Sequence, residues 1–223
     1  MSVKDMLGAT SLAQSTLYRQ LALLKRWGFV SEDGGTYAPG PVSLQLALGF
    51  DVNSLLVEAS RDSMAQLAQN TQESVGLVVA VNDQVICLEM IESTHSLRCS
   101  FEKGRAVPLK VGASAKSLLA FMDDRLRTET LERLFDADDP ARAALEAQLT
   151  GIRANGYAVS ESEVDTGVWG VSAPVFRRVT RGAGASASIT LMAPSSRAAG
   201  REQQLCDWTI RTAHAISARL RAE

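Results

Sequence analysis

Apolar residues first recur with a helical period. Val3, Met6 and Leu7 share one face of a short stretch that Ser2 is placed to cap. Gly8–Leu12 interrupts the pattern. Leu17, Leu21 and Leu24 then fall at i, i+4 and i+7, which predicts a helix from Ala13 to Trp27. Gly28 ends it, because glycine enters the left-handed region without a Cβ clash. Phe29–Glu32 and Thr36–Ala38 read as two short strands, and Asp33-Gly34-Gly35 between them suits a tight hairpin. The order is helix, turn, helix, hairpin.

Pro39-Gly40-Pro41 reads as a domain boundary. The helical period resumes from Val42 to about Phe50 and from Leu55 to about Asn70. From residue 75 the period drops to two. Val75–Val81, a turn at Asn82-Asp83 and Val85–Ile91 predict an antiparallel hairpin, with Ser96–Phe101 as a third strand. Helices follow at Ser114–Phe121, Arg125–Phe135 and Ala141–Asn155, the last closed by Gly156. Tyr157–Glu161, Gly170–Arg178 and Ala185–Met192 are strand candidates, the small-residue run Arg181–Ser188 reads as a turn entering the last, and Arg201–Arg221 is a final amphipathic helix. An antiparallel sheet with helices packed on it is an α+β architecture. The expected division is 1–40 as a small module, 41–54 as a helical linker and 55–223 as a larger domain.

Composition narrows the function. The 223 residues are 46% hydrophobic and 22% charged, enough apolar material to exclude a disordered chain. A net charge of −2 excludes a general polycation, so any nucleic-acid contact must come from a local surface. Residues 1–40 carry four basic and three acidic groups, and that balance does not establish DNA contact by itself. Cys87, Cys99 and Cys206 are odd in number and far apart, which fits buried free thiols in a reducing compartment rather than a zinc knuckle. The segment MSVKDMLGAT lacks a signal peptide's apolar core, and runs such as Gly76–Val81 are too short to span a bilayer. A cytoplasmic protein without membrane association is expected.

Little in the chain suits catalysis. His95 and His214 are isolated, so no metal site is expected, and no Gly-x-Ser-x-Gly elbow or Walker loop occurs. Ser114-Ala115-Lys116 is one residue short of a Ser-x-x-Lys pair, and Lys116 reads as a surface or helix-start residue. Glu161, Glu163 and Asp165 alternate at a strand end; paired carboxylates serve acid–base chemistry, and an exposed acidic edge looks the same. No catalytic residue is assigned and no enzyme is expected. Binding chemistry is better represented. Gln14, Ser15, Thr16, Tyr18 and Arg19 offer the short donors, acceptors and arginine that a major groove requires, although a helix with a solvent-facing polar side has the same pattern. Val111-Gly112-Ala113-Ser114 opens a helix whose free N–H groups suit a carboxylate, or is an ordinary helix start capped by serine.

Ser15-Thr16-Leu17-Tyr18-Arg19, then Leu21, Leu24 and Gly28-Phe29-Val30, resemble the winged helix-turn-helix of IclR-type transcriptional regulators. The later chain is similar to their effector domain at Gly104, Pro108-Leu109, Ala113–Ala120, Gly156-Tyr157, Glu163 with Gly167-Val168, Ala173-Pro174-Val175 and Ala193–Arg197. The resemblance implies a GAF/PAS-like effector domain that binds a small organic acid or related metabolite, with no cofactor. It also implies homodimers or dimers of dimers (homotetramers) on palindromic operator DNA. Carried across position by position, the effector site falls on Ala113, Ser114, Ser160, Gly170, Thr190 and Met192, with apolar lining from Cys99, Val107 and Val168. Gly170 stands where many relatives have cysteine, Met192 where serine is frequent, Ser160 where an acid can occur, and Ala115-Lys116 replaces a Gly-Lys pair. Fewer side-chain hydrogen bonds favour a ligand larger or more apolar than a two- or three-carbon acid. Family members also carry a helix ahead of the one at Ser2–Leu7, so the DNA-reading module is expected to be truncated. The implied function is a ligand-responsive transcriptional regulator; the alternative is a metabolite-sensing or protein-interaction module with lost or impaired DNA binding.

Overall fold

The computed structural model of the chain describes residues 1–10, 12–46, 54–104, 106–177 and 184–222. The chain forms two compact units, Met1–Ser54 and Leu55–Glu223.

In the first unit, α1 (Val3–Ala9) starts at Ser2 in a reciprocal cap: Ser2 Oγ accepts the Asp5 N–H at 3.2 Å and the Asp5 carboxylate accepts the Ser2 N–H at 2.8 Å. Helix α2 (Gln14–Arg26) leads to the antiparallel pair β1 (Val30–Asp33) and β2 (Thr36–Pro39). Leu17 and Leu21 are buried with Tyr37, and Val3, Met6, Leu7 and Val30 pack around them. The chain at Pro39-Gly40-Pro41 is tied back to the α2–β1 turn. The Gly40 N–H donates to Phe29 O at 2.8 Å, the Val42 N–H to Gly28 O at 3.1 Å and Ser43 Oγ to Phe29 O at 2.9 Å. The missing Cβ at Gly40 lets the chain press against the α2–β1 turn, and helical residues 41–46 stay with the first unit. The end of the helix expected to continue to Phe50, residues 47–53 of the expected linker, Arg178 and residues 181–183 of the small-residue run lie outside the described residues.

The second unit contains α3 (Leu55–Thr71), β3 (Ser74–Val81), β4 (Gln84–Ile91), β5 (Ala106–Pro108), α4 (Gly112–Ala120), α5 (Asp124–Leu134) and α6 (Pro140–Asn155). Strands β6 (Ala158–Glu161), β7 (Val168–Val175) and β8 (Ala187–Pro194), the short α7 (Ser195–Ala198) and the long α8 (Glu202–Ala222) complete it. The six strands form one antiparallel sheet in the order β5-β4-β3-β8-β7-β6. The chain is α+β.

Strand alternation gives this sheet two unlike faces. Val75, Leu77, Trp169, Val171, Ile189 and Leu191 fill one face and pack with residues of α3 and α8. On the other face Ser160, Gly170, Ser172, Ser188, Thr190 and Met192 stand near α4, and the α4 residues Leu118 and Leu119 form a second core with Leu131, Leu134, Leu145 and Leu149 of α5 and α6. The bulk lies on one side and the hydroxyls on the other. That asymmetry leaves space between α4 and the sheet.

Ser96–Phe101 is not the third strand of the hairpin; β5 fills that edge. Side chains hold the segment as a loop instead. The Glu92 carboxylate accepts from Arg98 Nε at 2.8 Å and Ser100 Oγ at 2.7 Å, and Ser93 Oγ donates to Gln72 O at 2.7 Å.

Candidate ligand-binding site

A cavity of about 750 Å³ opens between the hydroxyl-bearing face of the sheet, the start of α4 and the loop before β5. Cys99, Val107, Ala113, Ser114, Ser160, Val168, Gly170, Thr190 and Met192 all line it. The structure thus brings together every residue assigned from the sequence to an effector site, from six separate stretches of chain. It adds Leu97, Phe101, Val164 and Pro194 as apolar lining, and Arg98, Glu102 and Asp165 as charged lining. These additions sit mainly in irregular loops, which carry no hydrophobic period for sequence reasoning to detect.

The polar end of the cavity is internally paired. The Gly112 N–H donates to Glu163 Oε2 at 3.0 Å and the Ala113 N–H to Ser160 Oγ at 2.9 Å. Ser114 Oγ shares a hydrogen bond with Thr190 Oγ1 at 3.0 Å, and Thr190 Oγ1 another with Ser172 Oγ at 2.8 Å. Ser114 does not cap α4: Val111 occupies the cap position, and Ser114 stitches the helix to the sheet. Among the described residues Ser195 Oγ is a buried side-chain oxygen without a hydrogen-bond partner, and Ser195 lines this cavity. A polar atom on a bound molecule would satisfy it.

Lys116 is buried, 5% exposed, and not the surface residue its sequence position suggests. Its ammonium pairs with Glu163, whose other oxygen takes the Gly112 N–H. Charge burial is tolerated because both partners are hydrogen-bonded. Glu163 is therefore committed to the start of α4, Asp165 lines the cavity and Glu161 ends β6, so the acidic trio divides among three tasks.

The family model for the bacterial transcriptional regulator IclR C-terminal domain matches residues 52–218. The chain belongs to the IclR family. It is 30% identical over 214 residues to the HTH-type transcriptional regulator BhcR of Paracoccus denitrificans, covering 92% of this chain and 76% of that protein. Among solved structures, an IclR family transcriptional regulator from Brucella abortus superposes with a TM-score of 0.82 at 20% identity, over 98% of this chain and 84% of that one. The Thermotoga maritima IclR gives 0.69 at 23% identity, over 99% and 91%. At these identities the two structures speak to the fold alone. The Paracoccus denitrificans and Brucella abortus proteins are both named as transcriptional regulators.

In this IclR-family chain Gln14, Ser15, Tyr18 and Arg19 are exposed on the first turns of α2, and Thr16 is half-buried. Ala13 at the cap position offers no side-chain acceptor to the first N–H groups of the helix. No helix among the described residues is long and apolar enough to cross a membrane, and no group of three or more His, Cys, Asp or Glu side chains among them is placed to hold a metal ion.

Burial pushes the Cys87 and Cys206 thiols up to about 11, with nearby Glu89 and Asp207 adding to the effect. Cys99 is raised in the same direction by burial but is only half-buried. The thiolate is the nucleophile. Iodoacetamide at pH 8 is therefore expected to modify Cys99 well before Cys87 or Cys206, as read by peptide mass spectrometry. The raised values also stabilise the fold below about pH 9, the ordinary thiol value, and that contribution is lost as pH rises through about 11. Equal labelling of all three thiols at pH 8 would show that the two buried ones are not sequestered.

Proposed function

We propose that the chain is a ligand-responsive DNA-binding regulator of the IclR family. In this reading residues 1–40 form a winged helix-turn-helix in which α2 reads operator DNA, residues 41–54 link it onward, and residues 55–223 bind an organic acid or related metabolite. Ligand binding alters operator affinity within a homodimer or dimer of dimers. The observation that carries the reading is the cavity, on which nine residues scattered over the chain converge. Such a cavity, mainly apolar with a few convergent polar groups, has the anatomy of a small-molecule site.

The DNA-reading part rests on α2. Arg19 is exposed and has no ion pair among the described residues, so its guanidinium is available to a base edge or phosphate. Gln14 and Ser15 precede it on the same helix, where the uncapped N–H groups of the first turn can also meet a phosphate.

Fluorescence anisotropy with DNA from the chain's own upstream region tests the proposal. Arg19→Ala is expected to weaken specific binding by about 10-fold or more, equivalent to roughly 1–3 kcal/mol. Its response to ligand in a thermal-shift screen of aliphatic and aromatic acids should equal that of the wild type. Unchanged DNA affinity in Arg19→Ala would remove α2 as the reading helix, and a screen without any responding acid would remove the ligand class.

A further inference from the structure

Gly170 lies in the middle of β7, buried, with a regular ladder on both sides: Ser160 pairs with it across β6 and Met192 across β8. Glycine weakens a strand interior, through backbone entropy and the loss of a packing side chain. The usual reasons for keeping one are missing at this position. Its φ is not in the left-handed region and no register shift occurs along either pairing. A Cβ built on Gly170 would lie 3.6 Å from Leu191 O, 3.6 Å from Ser160 Oγ and 3.9 Å from Ala113 Cβ, all ordinary van der Waals contacts. The fold has no need of glycine there.

The space over Gly170 belongs to the cavity, which it lines together with Ala113, Ser160 and Met192. Two of those neighbours are small. The third, Met192, is an unbranched thioether that adapts to irregular shapes. We propose that Gly170 sets the width of the cavity, and that the ligand is a broad, mainly apolar molecule of fused-ring size lying against the bare Gly170 backbone. The hydroxyls nearest this point support the apolar character. Thr190 is already shared between Ser114 and Ser172, and Ser160 accepts from Ala113 and keeps only its own O–H to donate, so the strands offer a ligand few uncommitted polar groups. The inference rests on the reading of the cavity as a ligand site.

Thermal shift with 2-naphthoate and pyruvate as probes tests it on the full chain. The wild type should be stabilised by millimolar 2-naphthoate and little by pyruvate. Without ligand, Gly170→Ala should melt at the same temperature or about 1–3 °C higher, since a compatible Gly→Ala change reduces the freedom of the unfolded chain. Gly170→Val should stay folded and lose at least about 10-fold in naphthoate affinity, because its two methyl groups occupy the space the ring needs. The proposal is overturned if Gly170→Ala without ligand melts several degrees lower, or if Gly170→Val binds naphthoate as well as the wild type. A wild type that answers neither probe, or pyruvate alone, overturns it too. In the pyruvate-only case ligand sensing itself stands, so the two failures are separable.

Discussion

Gly40→Ala is expected to abolish specific DNA binding while the larger unit keeps its thermal transition within about 2 °C. A Cβ at position 40 would lie 2.2 Å from Gly28 O and 2.9 Å from Gly28 C, inside any real contact distance and against backbone that cannot rotate away. Relief requires the chain after β2 to move off the α2–β1 turn. That motion breaks the bonds from Gly40 N and Val42 N to Phe29 O and Gly28 O. Overpacking that forces a backbone shift costs about 1–3 kcal/mol, and a contact this short against backbone places the cost at the upper end. A unit the size of Met1–Ser54 holds only roughly 3–8 kcal/mol in total, and its buried core is Leu17, Leu21 and Tyr37. The penalty reaches the lower end of that range. Gly8→Ala is the matched control: nothing lies within 4 Å of its Cβ, and it sits in α1, where alanine is the better helix former. Anisotropy together with calorimetry on both variants reads the outcome. Retained operator binding in Gly40→Ala would show that the packing of Gly40 against Gly28 does not hold α2 in its DNA-binding position.

The contrast between these glycines shows what a sequence discloses. Gly28 and Gly156 were legible as helix stops because their role is local, and both have positive φ. Gly40 was legible only as part of a Pro-Gly-Pro break, since its reason is a carbonyl twelve residues earlier. The two-faced sheet was also partly visible. Ser188, Thr190 and Met192 alternate with Ile189, Leu191 and Ala193, and strand geometry sends the two sets to opposite sides. Lys116 was misread because its partner Glu163 is 47 residues away on a loop, and no local pattern marks a lysine for burial. Ser96–Phe101 failed as a strand for the same kind of reason: its side-chain and long-range partners, Glu92 among them and Arg197 as the most distant, outweigh its weak strand propensity. The nine cavity positions were placed by family resemblance and not by spacing. The loops that complete the cavity, around Leu97 and Val164, have no periodic signal of any kind.

Arg197 is the second position where a single change should have a large effect. Its guanidinium makes two parallel bonds to the Glu73 carboxylate, each 2.7 Å, and Glu73 is 1% exposed at the start of the sheet. A further nitrogen donates to Leu97 O at 2.7 Å. One side chain thus neutralises a buried acid and holds the loop that lines the cavity. Arg197→Met leaves the acid buried without its cation, which costs about 3–5 kcal/mol and lowers the melting midpoint by about 10 °C for a chain of this length. Glu73→Gln is expected to cost less, roughly 1–3 kcal/mol, because the guanidinium it strands is a quarter exposed and can still meet water. Pairing Arg197→Met with Glu73→Leu removes both charges and should recover most of the lost stability, since a buried ion pair replaced by apolar groups is often close to neutral. It should not recover ligand binding. The Leu97 carbonyl remains without its donor in the double variant, and the cavity wall it carries remains loose. Chemical denaturation and ligand-induced thermal shift on the three variants separate the two roles: stability that recovers together with full ligand response would reduce Arg197 to a charge partner, and stability that recovers alone makes it the residue that sets the cavity wall.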